Sequence, residues 1–304
     1  MIEQLKAITV RNLKLYLRDK GTVFFSLLSM VIVIALMTLF LGDMQVETIT
    51  NLLKQFLGYQ AAEDDRNAKL LVLSWTSAGI LSINAVTVTL SALSSMIKDK
   101  ADGRICAIDT APVSRMLIAL GYVLAAWTAS VIICILTLFL TELYGVFCGM
   151  EWFSIVTHVK LTGMIMVNSF AYASLMYVAA VFVKSEGAWS GLGTIVGTLT
   201  GFLGGIYLPI GQLSEEIGRL MKCTPLIYGT AMFRQIMTKD VAHRTFQNAP
   251  QEAEDTWLSI MGVDLSVLDH AVSIKICLLL LLIFGVIFLM IGTVVLRYKR
   301  KTDR

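Results

Sequence analysis

Glu215-Glu216-x-x-Arg219 is the nearest approach in this 304-residue chain to a paired-carboxylate acid/base site. Such a pair works when burial and mutual repulsion drive its pKa values apart. These glutamates stand in a polar segment outside every apolar stretch, and the set is one residue short of the signature used by intramembrane proteases with paired glutamates. The three histidines, His158, His243 and His270, also lie between apolar stretches, so no stretch supplies a histidine base or ligand. Ser190-Gly191 offers a hydroxyl with no preceding glycine and no histidine partner. The five cysteines show no C-x-x-C spacing, and no G-x-x-x-x-G-K-[ST] phosphate loop is present. The chain reads as a non-enzyme with no catalytic residues, no metal site and no cofactor of its own.

Six apolar stretches contain no charged side chain: Thr22–Gly42, Leu70–Ile97, Met116–Thr141, Leu161–Val183, Gly191–Ile210 and Ile276–Leu296. Each supplies the roughly 20 helical residues that cross a hydrocarbon core about 30 Å thick, where a helix satisfies its own backbone hydrogen bonds. The expected fold class is therefore all-α: one polytopic membrane domain over residues 1–304 with six transmembrane helices. If both termini are inside, the 25 basic residues divide as 15 inside and 10 outside, and the 22 acidic ones as 7 and 15. Positive charge stays in cytoplasmic loops, which predicts cytoplasmic termini. The apolar run is too long for a signal-peptide core and has no A-x-A site, so residues 1–42 read as uncleaved. Net charge of +3 carries no message beyond this distribution, and no nucleic-acid partner is expected. Cys148 and Cys223 fall on the outer side, where simple packing is the first reading and a disulfide between them the alternative.

Residues 1–20 read as an amphipathic helix in the headgroup layer. At 100° per residue Ile2, Leu5, Leu13, Tyr16 and Leu17 share one side, with Arg11, Lys14 and Arg18 opposite; a plain basic flank is the alternative. The cytoplasmic segment 98–115 runs Lys98-Asp99-Lys100-Ala101-Asp102-Gly103-Arg104-Ile105, then through Ile108 and Pro112 to Arg115. Pro112 biases Ala111 away from helix, and Ser114 can cap the third span. Ile105, Ala107 and Ile108 form a short apolar face ringed by charge. The second span is rich in hydroxyls and amides, including Thr76, Ser77, Asn84 and Thr87, which either line a pathway or bond back to their own helix. The fifth carries Gly193, Gly197, Gly201 and Gly205 at four-residue spacing, a face that lets another helix approach closely. After it, residues 211–271 hold two short amphipathic stretches about Pro225: Leu213, Ile217, Leu220 and Met221, then Tyr228, Met232, Ile236 and Met237. The polar run from Thr238 to Ala271, like Asp43–Lys69, reads as a solvated loop with one or two short helices.

The acidic and basic run before Gly103, the Thr110-Ala111-Pro112-Val113-Ser114-Arg115 entry to the third span, the basic leading helix and the segment after span five together resemble the permeases of the type-2 ATP-binding cassette exporters. The resemblance implies that Asp99, Asp102, Gly103, Arg104, Ile105, Ile108, Pro112 and Arg115 couple to a separate ATPase subunit, two copies per transporter, which binds Mg-ATP. It implies a second permease, as homodimer or heterodimer, with spans two and five bordering the seam and the pathway. It also implies outer helices that close the pathway, with Pro209, Leu213, Ile217, Pro225 and Tyr228 at that gate; two interfacial helices that merely cover the bundle are the alternative. Independently, no span buries an ionisable group of the kind that couples protons or sodium, so the driving force must come from outside the chain. The expected role is an ATP-driven efflux permease for an amphipathic drug, peptide or lipid-linked molecule in a cell membrane, as in the bacterial plasma membrane, surrounded by membrane lipids. A membrane anchor or sensor that recruits an ATPase without transport is the alternative.

Overall fold

The longest apolar stretch of the sequence lies in a helix of 41 residues, α4 (Ala61–Ala101), about 60 Å at 1.5 Å per residue. This exceeds the hydrocarbon thickness, so α4 projects beyond the bilayer and carries polar residues at both ends. The computed structural model describes residues 1–36, 42–56, 61–104, 113–267 and 270–302. Before α4 come α1 (Ile2–Arg18), α2 (Lys20–Leu36) and α3 (Gly42–Leu53); after it come α5 (Arg115–Phe147), α6 (Ile155–Phe182) and α7 (Glu186–Leu203). A 3-10 turn (Ile210–Gln212) leads to α8 (Glu215–Lys222), α9 (Pro225–Met237), α10 (Lys239–Thr245) and α11 (Gln251–Ile260). A two-residue ladder, Ser266 opposite Ala271 and Val267 opposite His270, precedes α12 (Ile274–Thr302).

Side-chain oxygens start several of these helices. Asp19 accepts from the Thr22 N–H at 3.0 Å and its hydroxyl at 2.8 Å, which holds the Asp19 carboxyl below its usual range. Ser114 caps α5 as expected, and Ser154 and Ser185 cap α6 and α7. Among the described residues four helices are long and apolar enough to cross a membrane: Ala62–Ala101, Met116–Phe147, Ile155–Phe182 and Ile274–Leu296. They match expected spans two, three, four and six. The α2 helix is apolar but shorter, and the remainder of expected span one, residues 37–41, lies outside the described residues.

The expected fifth span is shorter than Gly191–Ile210. Helix α7 stops at Leu203, Gly204 caps it, and Gly205 turns the chain at φ 64°, a conformation glycine takes without Cβ strain. Gly205 is thus outside the helix, and the four glycines do not form one face. Gly193 approaches Leu90 of α4, where an added Cβ would lie 3.3 Å from the side chain, while Gly201 is covered by the Tyr207 ring that the turn folds back. Gly197 faces open space.

Helix α4 is the hub, packed against α5, α6, α7 and α9; α12 rests on α6, and α1 lies along α5. One apolar core runs through this bundle. A second joins Ile49 and Leu53 of α3, Leu71 and Trp75 of α4, and Ala242, Phe246, Trp257 and Met261 of the segment after α9. The two segments expected to be solvated loops are therefore folded against each other, because their few apolar residues recur at helical spacing and meet across the chain.

The glycines separate internal packing from any contact with another molecule. Gly201→Leu should lower the yield of folded, monodisperse protein severely, since the new side chain displaces Tyr207. Gly197→Leu should leave yield and thermal midpoint at wild type in the isolated chain. Comparable yields for the two variants, measured by size-exclusion chromatography and thermal unfolding in detergent, would contradict this division.

Candidate functional site

The Asp99 carboxylate, at the last turn of α4, is 2% exposed and held by three side chains. Arg11 of α1 donates to both of its oxygens, at 2.6 and 2.9 Å, and Tyr122 of α5 donates its hydroxyl at 2.6 Å. Arg104 stands 3.9 Å away. The hydrogen bond to Asp99 raises the Arg11 guanidinium above its ordinary value. A two-pronged Arg–carboxylate contact fixes direction as well as charge, so α1, α4 and α5 are locked together at this point. Removing one partner of a buried pair costs about 3–5 kcal/mol, here moderated because Arg11 is 39% exposed.

The face of α1 that packs on the bundle is Leu5, Ile8, Asn12, Leu13 and Tyr16, while Ile2 and Leu17 are exposed. A Cβ on Gly121 would overlap Ile8, so the bare glycine backbone is what lets α1 lie close to α5. The helix expected over residues 1–20 is present as α1, which is docked along α5, with Arg11 at the edge of the docked face. Asp99, expected among the coupling residues, is buried and serves as an internal anchor of α4.

Beyond Asp99 the helix ends at Ala101, and Gly103 turns the chain at φ 69°. Asp102 and Arg104 pair at 3.1 Å, both partly open to solvent. Lys100 donates to the Ala180 carbonyl at 2.6 Å and to that of Val183 at 3.5 Å, placing a cation on the C-terminus of α6 where the helix dipole favours it. Ile105, Ile108 and Pro112 lie outside the described residues. Arg115 opens α5.

The hydroxyls of span two are largely spent on their own helix. Thr76 bonds to the Val72 carbonyl and Thr87 to those of Ile83 and Asn84; Ser77 is buried. Asn84 reaches out, donating to Thr137 of α5 at 2.8 Å. Of the expected outer-gate residues, Pro209 leads the 3-10 turn, Leu213 follows it, and Ile217 is exposed on α8. Pro225 starts α9, and Tyr228 donates to the Lys222 carbonyl at 2.6 Å. Helix α9 is buried on nearly all sides among α4, α6 and α12, so it is a wedge in the bundle rather than an amphipathic cover.

Within α9 the sequence reading missed Arg234, which is fully buried. Its guanidinium lies 4.1 Å from the Trp75 ring centre and donates to the Met261 and Gly205 carbonyls at 3.1 and 2.8 Å. The ring face and two carbonyl dipoles offset the hydration its guanidinium loses on burial. One arginine thus joins α4, the turn after α7, α9 and the segment after α11. Its position inside a short apolar run, Met232-Phe233-Arg234, was the available signal. Cys148 and Cys223 are free thiols. Among the described residues no group of three or more His, Cys, Asp or Glu is placed to hold a metal ion.

A bundle of long apolar helices, with a charged joint at the last turn of one of them, defines a membrane-spanning domain. The chain matches the family model described as ABC-2 family transporter protein over residues 59–294, and it belongs to that family. No curated protein matches the chain.

Proposed function

We propose that this chain is the permease subunit of an ATP-driven exporter, a single domain of six spans with α2 and α7 completing the four long ones. It pairs with a second permease, identical or related, and each permease binds an ABC ATPase on the cytoplasmic face at residues 98–115. The Asp99 joint is the observation that carries this reading. A segment that transmits force must be stiffly attached at its root, and Asp99 ties that root to α1 and α5 while Lys100 ties it to α6. Asp102 and Arg104 project beyond the joint and remain available for a partner. Mg-ATP on the partner ATPases would draw them together, shift the joints with them, and move the bundle between inward-open and outward-open states by alternating access. The cargo on this reading is an amphipathic molecule taken from the cytoplasm or inner leaflet.

Replacing Asp102 with Lys and Ile105 with Asp together should leave membrane insertion intact and weaken ATPase binding. Loss of a docking hot spot costs about 2 kcal/mol, roughly thirtyfold in affinity. Co-purification and export at wild-type levels by the double variant would overturn the docking assignment. Orientation has its own test. A single cysteine at Glu63 should react with an impermeant maleimide in intact cells, and one at Lys100 should react only after permeabilisation. Labelling of Lys100 alone in intact cells would invert the topology.

A further inference from the structure

At the end of α4 away from Asp99, a cavity of about 540 Å³ opens between α2, α3, α4 and the end of α5, within the roughly 300–1,000 Å³ typical of small-molecule sites. Its lining is graded along α4. Asp65, Arg66 and Lys69 come first, and Leu70, Leu73 and Thr76 follow deeper along the helix. At 1.5 Å per residue the step from Asp65 to Thr76 covers about 16 Å, too long for a headgroup alone and suited to a headgroup with a chain behind it. Two of the charges help to build the wall: Asp65 accepts from Thr50 at 3.2 Å, and Arg66 donates to the Gly149 carbonyl at 3.2 Å. Two others do not. Asp43 on α3 and Lys69 on α4 both line the cavity, and neither makes a hydrogen bond or ion pair among the described residues.

We infer that this cavity binds a zwitterionic amphiphile of the phosphocholine or phosphoethanolamine class, its headgroup between Asp43 and Lys69 and its chain along Leu70 and Leu73. A headgroup that is only anionic would meet Asp43 without compensation, and one that is only cationic would meet Lys69; a headgroup carrying both charges pairs with each. Tyr144 of α5, also in the lining, adds an aromatic face for the ammonium. The role of this site in transport rests on the export reading. The test measures binding without any ATPase, so either can fail alone.

Cys148 lines the same cavity and is exposed, while Cys134 and Cys277 are buried. With Cys106→Ser and Cys223→Ser it becomes a native reporter in the full chain, held in nanodiscs of phosphatidylglycerol. Dodecylphosphocholine should slow maleimide modification of Cys148 several-fold. Dodecyltrimethylammonium, dodecyl phosphate and dodecyl maltoside at equal concentration should leave the rate near its ligand-free value. Adding Asp43→Asn with Lys69→Gln, both at exposed positions, should abolish the phosphocholine effect without lowering the thermal midpoint. Equal protection by all four amphiphiles, meaning an adventitious additive only, would overturn the inference. So would no protection by dodecylphosphocholine, or protection that survives the double substitution.

Discussion

A carboxylate with 2% of its side chain exposed has to be paired where it stands, and Asp99 meets that demand by recruiting Arg11 and Tyr122 from helices far apart in the sequence. The pairing decides more than local stability. It sets α1 against α5 and against the last turn of α4. It also makes the start of the segment after α4 continuous with the bundle rather than a tether hanging from it. Arg11, Asp99, Lys100 and Tyr122 thereby join α1 to the neighbouring ends of α4, α5 and α6.

The far end of α4 is fastened by a different means. Trp75 donates its indole N–H to the Met261 carbonyl at 2.8 Å and offers its ring face to Arg234, which also donates to Met261 and Gly205. Here a cation is buried against carbonyl dipoles and an aromatic face, and one of the two carbonyls it satisfies, that of Gly205, lies where α7 breaks. Broken helices are tolerated at membrane depth only where protein re-satisfies the freed backbone groups, and Arg234 performs that task. Helix α4 is thus one continuous helix held at Trp75 and at Asp99 and packed on most of the other helices.

The sequence made four of the spans legible because each holds an uninterrupted apolar window longer than a membrane crossing, a property that packing cannot alter. The fifth misled because glycine and threonine carry no charge: Gly191–Ile210 passes a test for absent charges while Gly204-Gly205 ends the helix inside it. The caps at Ser114 and the helices around Pro225 followed from local chemistry and were readable. The Arg11 contact was not, since its partner lies 88 residues away and a helical wheel shows only that Arg11 borders the polar stripe. The same limit hid Arg234, the folding of Asp43–Lys69 onto the segment after α9, and the grading of charge along the α4 cavity. Each depends on which helices become neighbours, and apolar spans of similar composition do not encode that pairing locally. The approach to the third span and its neighbouring motifs carried family membership, which the match over residues 59–294 then established.

On the proposed function, Asp99 transmits between the segment after α4 and the bundle through its ion pair with Arg11. Exchange of the two charges tests it most directly, with permease-dependent ATP hydrolysis by the co-expressed ATPase as readout and membrane insertion as control. Arg11→Asp alone and Asp99→Arg alone should each insert normally and lose most of the permease-dependent rate, and the two substitutions combined should recover a substantial part of it. Single variants that both keep the wild-type rate would contradict the account.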